Sequence, residues 1–412
     1  MKTVLQHGTL LDVVNDRSIA DASIYMVDGR IEAIENGDAS IRDGYETIDL
    51  TGKYIIPGMV DMHQHFLYKR TYGNLWEQMK LNIPALTIRS IKNMLAELRM
   101  GITTVRSGGD VYDIDRTLRA MVEHGYIMGP RMLICGKPLA ITGSHVPDSF
   151  AQWVDGVEEF TKWTRERASR YDWVKVFGSY GLTKPYYNGE YERPEITLTE
   201  LKAVCDAAHN AQKKVMIHCS GSAAVEIAMH AGVDTIEHGT GMTFEQAQYI
   251  KEHNIAYVPT MTAKTETLNP IYDRGAQWIE DQRKFIPFSD FGLKNAVKAG
   301  VLISMGLDSL GVVGDEARQF EEIGGMGKWD VLRACTLNGA KTLDMEDEIG
   351  SVEPGKLADI AVLNSDPFES WYNLEDVYMV VSRGVARKVE DIGLTYEFES
   401  RDYNSIIPEL YI

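Results

Sequence analysis

Val215-Met216-Ile217-His218 and Thr235-Ile236-Glu237-His238-Gly239 are two short strand-like runs that carry His218 and His238 at their C-terminal ends. Runs of this length, rich in β-branched residues, read as buried strands. A helix signal precedes the first: Thr197 and Glu200 form a capping box, and Leu201, Val204, Cys205 and Ala208 follow at helical spacing. Another follows the second, where Thr243 and Gln246 stand before Ala247 and Ile250. Strands alternating with helices make a parallel sheet, because parallel neighbours need a crossover connection.

The alternation extends in both directions. Further apolar runs fall at 59–63, 102–106, 131–135, 173–177, 255–259 and 301–305, giving eight strand–helix units with 214–218 and 233–237. Eight units favour a closed parallel ring over an open sheet, so the expected fold is α/β, a (β/α)8 TIM barrel. Outside it the pattern changes. Ala22 to Val27 and Arg30 to Ile34 flank Asp28-Gly29, a two-residue hairpin signal. Ala358 to Leu363 and Val377 to Val381 are strands beside Pro354-Gly355 and Arg383-Gly384. These β-rich ends suggest a small composite β-sandwich built from both termini. The expected division is 57–345 for the barrel and 1–56 with 346–412 for the β-domain.

The 412 residues are 44% hydrophobic and 25% charged, ordinary for a chain with a large core. A net charge of −18 repels phosphate backbones and anionic lipid, so neither nucleic acid nor a membrane is an expected partner. No run reaches the roughly 18 apolar residues that span a bilayer. Gln6, His7 and Asp12 interrupt the first apolar stretch, which argues against a secretion signal. Cys135, Cys205, Cys219 and Cys335 are widely spaced, as free thiols of a reducing compartment are. A cytoplasmic location is the expectation.

In a barrel of this kind functional groups gather at the C-terminal ends of the strands. His63 and His65 end the first strand two residues apart, so both rings face the same way. Lys175 lies inside Trp173-Val174-Lys175-Val176-Phe177, where an amine must be paired, neutral or modified. One such modification is carbamylation by CO2, which turns the amine into a carboxylate able to bridge cations. His218 ends the fifth strand, His238 the sixth, and Asp308 follows the eighth. Taken singly, each histidine has an ordinary packing explanation. Together, four histidines, a lysine and an aspartate at five strand ends point to divalent metal, with zinc expected from imidazole and carboxylate donors.

The stretches 58–65, 101–106 and 231–240, and the closing segment from Thr336 to Asp359, resemble the amidohydrolase superfamily. The resemblance is to its two-metal members with a carbamylated lysine, within the imidazolonepropionase-related branch that includes Xaa-Pro dipeptidases. It implies that His63, His65 and Asp308 hold the more buried metal, that His218 and His238 hold the other, and that carbamylated Lys175 and a hydroxide bridge them. A further histidine of that branch falls on His145, implied to polarise the scissile carbonyl. Asp308 is implied to carry the proton to the leaving amine. Tyr180, close to Lys175, and Ser220, two residues after His218, are the expected substrate contacts. Relatives often place a larger donor at the position of Ser220, and Gly-Gly-His where this chain has Gly143-Ser144-His145.

The implied activity is hydrolysis of the C–N bond of a small amide, such as a dipeptide or an N-acyl amino acid. Cyclic amides, carbamates, esters and lactones present the same carbonyl to the same attack. A one-metal deaminase would place a glutamate three residues after His218, and Gly221 stands there. A silent binding protein would have lost ligands, and every ligand position is filled. The resemblance also implies a homo-oligomer. Lys184, Tyr186, Tyr187, Arg193, Lys264 and Arg274 follow strands four and seven, where they would meet a substrate carboxylate.

Overall fold

The computed structural model describes residues 2–37, 42–67, 81–181, 193–266, 268, 276–308 and 311–393. Lys184, Tyr186, Tyr187 and Arg274 lie outside the described residues.

The N-terminal strands are β1 (Lys2–Asp12), β2 (Arg17–Val27), β3 (Arg30–Asn36), β4 (Glu46–Asp49) and β5 (Tyr54–Pro57). Then come β6 (Met59–Gln64), β7 (Ile102–Ser107), β8 (Arg131–Leu133), β9 (Leu139–Ala140), β10 (Gln152–Trp153), β11 (Trp173–Phe177), β12 (Lys214–Ser220), β13 (Thr235–Thr240) and β14 (Ala256–Val258). The last are β15 (Ile360–Leu363), β16 (Val377–Ser382) and β17 (Val385–Lys388).

Both ends of the chain enter one eight-stranded sheet, in the order β17-β16-β15-β5-β1-β2-β3 with β4 beside β1. The expected pairing of the two termini is therefore present, as one hydrogen-bonded sheet rather than two. A register shift in β1 between Leu5 and Gly8, with His7 at φ 63°, lets that strand pair β4 along its first half and β5 along its second. Leu5, Leu10, Ile24, Ile55, Ile360 and Val381 belong to its separate apolar core. The hairpin between β2 and β3 turns at Asp28 (φ 48°) and Gly29 (φ 83°), the two positive angles a tight hairpin requires.

The middle of the chain is parallel sheet. β6, β7 and β8 pair in that order, and β10-β9-β11-β12-β13-β14 form a six-stranded sheet. Both capping boxes are present, at Thr197 with Glu200 and at Thr243 with Gln246. The run 301–305 differs from expectation: it forms an isolated parallel bridge from Ile303 to Tyr257 instead of a strand. Its hydrogen bonds are divided among neighbours, Ser304 N to Tyr257 O at 3.0 Å, Met62 N to Met305 O at 2.9 Å and Met305 N to Ala334 O at 2.9 Å. On the other side Trp173 N donates to Ile134 O at 3.2 Å, beyond the end of β8. The short pair β9 and β10 was not expected, and the loop between them carries His145. Among the described residues no helix is long and apolar enough to cross a membrane, and all four cysteines are free and buried.

Candidate metal and active site

His63 near the end of β6 and His218 and His238 on β12 and β13 come together although β6 belongs to a different sheet from β11 to β13. Register does the finer placing: His218 lies opposite Phe177, and His238 opposite Cys219. His63 and His65 converge, with Nε2 atoms 3.3 Å apart. Asp308 Oδ1 lies 3.6 Å from His63 Nε2 and 3.4 Å from His65 Nε2. Lys175 Nζ is 3.5 Å from His63 Nε2. The His238 ring stands 5.1 Å from that of His63 and 4.6 Å from that of His218. His145 follows at 4.8 Å from His218, with Tyr180 at 6.3 Å from His145. Eight expected residues thus form one cluster. Ser220 is buried, and its backbone N–H is given to Ser179 Oγ at 2.7 Å.

The partners assign the imidazole protons. Glu237 Oε2 lies 2.7 Å from His63 Nδ1, and Glu237 Oε1 accepts from Arg106 Nη2 at 2.8 Å. A carboxylate accepts, so His63 carries its proton on Nδ1 and leaves the Nε2 lone pair free. His65 Nδ1 faces the Gly109 carbonyl at 3.0 Å, with the same result. His218 is reversed: its Nε2 donates to Tyr180 O at 3.3 Å and leaves Nδ1 free. His238 Nδ1 meets the Thr260 hydroxyl at 2.6 Å. Gly181 lets the chain pass between rings, since a Cβ there would fall 2.5 Å from His145 Nε2 and 3.0 Å from His218 Nε2.

Burial first, then Lys175 and neighbouring cations, pushes His63 well below the usual histidine range; burial and Lys175 take His65 down to about 3. Burial lowers His218, with smaller effects of His145 and Lys175, and burial lowers His238, with smaller effects of His218, His63 and Lys264. These are neutral imidazoles, the ligating form. Burial lowers Lys175 to about 8, opposed by Glu237 and Asp308. Burial raises Asp308 to about 7, opposed by Lys175 and Lys264.

Two acceptor nitrogens facing each other at 3.3 Å, with a carboxylate oxygen beside both, repel unless a cation lies between them. His63, His65 and Asp308 therefore fit a divalent metal: one donor atom from each lies within 4.8 Å of the others.

Several contributors were not picked out from sequence. Arg106 and Glu237 form an ion pair with both side chains fully buried, on strands that mix apolar residues with threonines, Ile102–Ser107 and Thr235–Thr240. Neither charge interrupts an apolar run as Lys175 does, so the sequence does not mark them as buried. Glu195 accepts from Ser144 Oγ at 2.6 Å and His145 N at 2.8 Å, and lies 3.3 Å from His145 Nδ1. It sits far along the chain from His145, and only the fold brings them together. Lys264, by contrast, is one of the cations singled out after strand seven; it is buried and donates to Pro259 O at 3.0 Å.

Residues 54–387 match the Amidohydrolase family, and the chain belongs to it. It is accordingly a hydrolase acting on C–N bonds. Ochratoxinase of Aspergillus niger is 26% identical over 349 residues, covering 76% of this chain and 71% of that protein. Imidazolonepropionase of Fusobacterium nucleatum is 22% identical over 357 residues, covering 78% of each. The crystal structure of a Xaa-Pro dipeptidase with bound methionine superposes with a TM-score of 0.84 at 28% identity, over 94% of this chain and all (100%) of that one.

Proposed function

We propose that this protein is a two-metal amidohydrolase that cleaves the amide bond of a small substrate such as a dipeptide or an N-acyl amino acid. The observation that carries the reading is the convergence of four neutral imidazoles, a buried lysine and an aspartate at one edge of the parallel strands. The hydrogen bonds from Met62 to Met305 and from Trp173 to Ile134 support a closed barrel over 57–345, with 1–56 and 346–412 as its β-domain.

His63, His65 and Asp308 would hold one cation and His218 and His238 the second, zinc being the expected metal. When bound, such cations polarise a carbonyl and lower the pKa of water. The rest is done by the chain. Burial leaves part of the Lys175 amine neutral, the form that adds to CO2; an N–C bond forms, a proton leaves, and the resulting carbamate faces both groups of ligands. His145, held through Nδ1 by Glu195, turns Nε2 towards the site, where it orients the substrate carbonyl. Asp308, with 26% of its side chain exposed, is the ligand best placed to move a proton to the leaving amine. Tyr180 flanks His145, and Arg193 stacks over the Tyr180 ring at 4.5 Å, so both stand where a substrate would enter. The deaminase alternative is disfavoured because Gly221, at φ 90°, is a helix-entry position that a glutamate fits poorly.

The test is an assay of the purified protein, supplied with zinc and bicarbonate, against Xaa-Pro and other dipeptides, N-acyl amino acids, aryl amides and carbamates. Cleavage of the carboxylate-bearing amides is expected. Cleavage confined to carboxylate-free compounds would overturn the peptide-like substrate, and inertness towards the whole panel would overturn the amidase reading.

A further inference from the structure

Thr260 follows β14 and precedes the helix Met261–Glu266, at φ 49°. A β-branched residue in the left-handed region is a true outlier, because its Cβ substituents crowd the backbone there. A threonine just before a helix ordinarily serves as its N-cap, with extended backbone and a hydroxyl accepting from the first turn. Here that task is taken by another residue. Glu316, on the helix Val313–Glu322, accepts Met261 N at 3.0 Å and Thr262 N at 2.7 Å.

The Thr260 hydroxyl is therefore free for a different use. It has one proton, given to Pro259 O at 2.8 Å. Its contact with His238 Nδ1 at 2.6 Å must then be one in which the imidazole donates. That fixes His238 with its proton on Nδ1 and its lone pair on Nε2. The other side of the residue is fixed as well: His238 is itself left-handed, at φ 70°, and Tyr257 donates its phenol to the His238 carbonyl at 2.7 Å. Two unusual backbone conformations, at His238 and Thr260, are thus joined by one short hydrogen bond.

We propose that Thr260 is a positioning residue for His238, its left-handed backbone aiming a hydroxyl that sets the tautomer and orientation of that ring. The inference rests on the reading of His238 as a metal ligand, and the hydroxyl is the group that presents the Nε2 lone pair to the metal. Residues hydrogen-bonded to a ligating histidine commonly govern metal affinity by about 10–100-fold.

The experiment is a long-range proton–nitrogen NMR correlation on 15N-histidine protein, metal-free and zinc-loaded, with His238→Asn to assign the signals. A zinc titration against a competing chelator accompanies it. In the metal-free wild type His238 is expected to carry its proton on Nδ1. Thr260→Val, which keeps the branching and loses the hydroxyl, is expected to mix or reverse the tautomers and to weaken the second zinc by about 10–100-fold. Thr260→Ser is expected to behave as the wild type. A wild-type His238 protonated on Nε2 would overturn the proposal without any variant, as would a Val variant with unchanged tautomer and zinc affinity. If His238 follows Thr260 in the metal-free protein but the wild type takes up no second zinc, the positioning role stands and the metal reading of His238 falls.

Discussion

The two halves of the site are anchored by different chemistry. On one side His63 leans on Glu237, whose other oxygen is held by Arg106, and all three side chains are buried. On the other, His218 and His238 rest on a carbonyl and a hydroxyl, partners without charge. A carboxylate behind an imidazole raises its basicity as a ligand more than a neutral acceptor does. On the proposed two-metal reading, the charged anchor behind His63 would make that side the tighter cation site, although His65 beside it rests on the Gly109 carbonyl. Lys175 Nζ lies 3.5 Å from His63 Nε2, and its charge is among the influences that lower His218 and His238 in the other half.

The largest effect is expected from removing that shared member. Lys175→Ala should lower kcat/KM by about 10³-fold, since on the proposed reading it takes away the group that would bridge the two halves. Steady-state kinetics in excess zinc and bicarbonate, read with metal content per chain, check this. A variant with full activity would mean that the halves act independently of Lys175.

Glu237→Gln attacks the charged half. Breaking a buried ion pair by removing one partner costs about 3–5 kcal/mol, because Arg106 is left buried without its carboxylate. Urea unfolding of the metal-free protein measures that loss. Zinc competition should show affinity on the His63 side falling by about 10–100-fold. Unchanged stability would show that Arg106 finds another acceptor and that the charged anchor is not what distinguishes the halves.

Much of this was legible in the sequence, and the limits have physical causes. Strand ends were readable because runs of strand character close on His63, His218 and His238, and helix starts because Thr197 and Thr243 carry their capping partners locally. The run at 301–305 looked like the others but lacks a regular partner, since its donors and acceptors are shared with Tyr257, Met62 and Ala334. Which neighbour a strand pairs with is a tertiary fact. The same holds for Glu195, which meets His145 from 50 positions further along the chain, and for Thr260, whose φ no local pattern announces. Arg106 and Glu237 stand among threonines in Ile102–Ser107 and Thr235–Thr240, so no apolar run marks them as buried charges, and only the fold pairs them.

Removing metal separates the halves directly. With a graded chelator, zinc should leave in two steps, the His218 and His238 side first. A cation at about 100 times its dissociation constant stabilises the fold by about 2.7 kcal/mol, so thermal unfolding should fall in two stages as well. Metal content per chain and unfolding temperature, followed together, check this. A single step releasing both ions would mean that the anchors do not set relative affinity and that the bridge couples the halves into one unit.

The smallest effect belongs to the neutral side. Tyr257→Phe removes the phenol that donates to the His238 carbonyl while keeping the buried ring. One neutral hydrogen bond contributes about 0.5–1.5 kcal/mol, and the carbonyl left behind sets the upper part of that range. The left-handed backbone of His238 is also held by the ladder to β12, where His238 faces Cys219, and by the Thr260 hydroxyl. The ring should therefore keep its place, with stability reduced by about 1 kcal/mol and turnover changed by a few-fold at most. Urea unfolding and kinetics on the same preparation decide it. A loss as large as that of Glu237→Gln would show that the neutral half depends on a single bond for its geometry. The contrast would then lie in how many contacts hold each half, and not in whether those contacts carry charge.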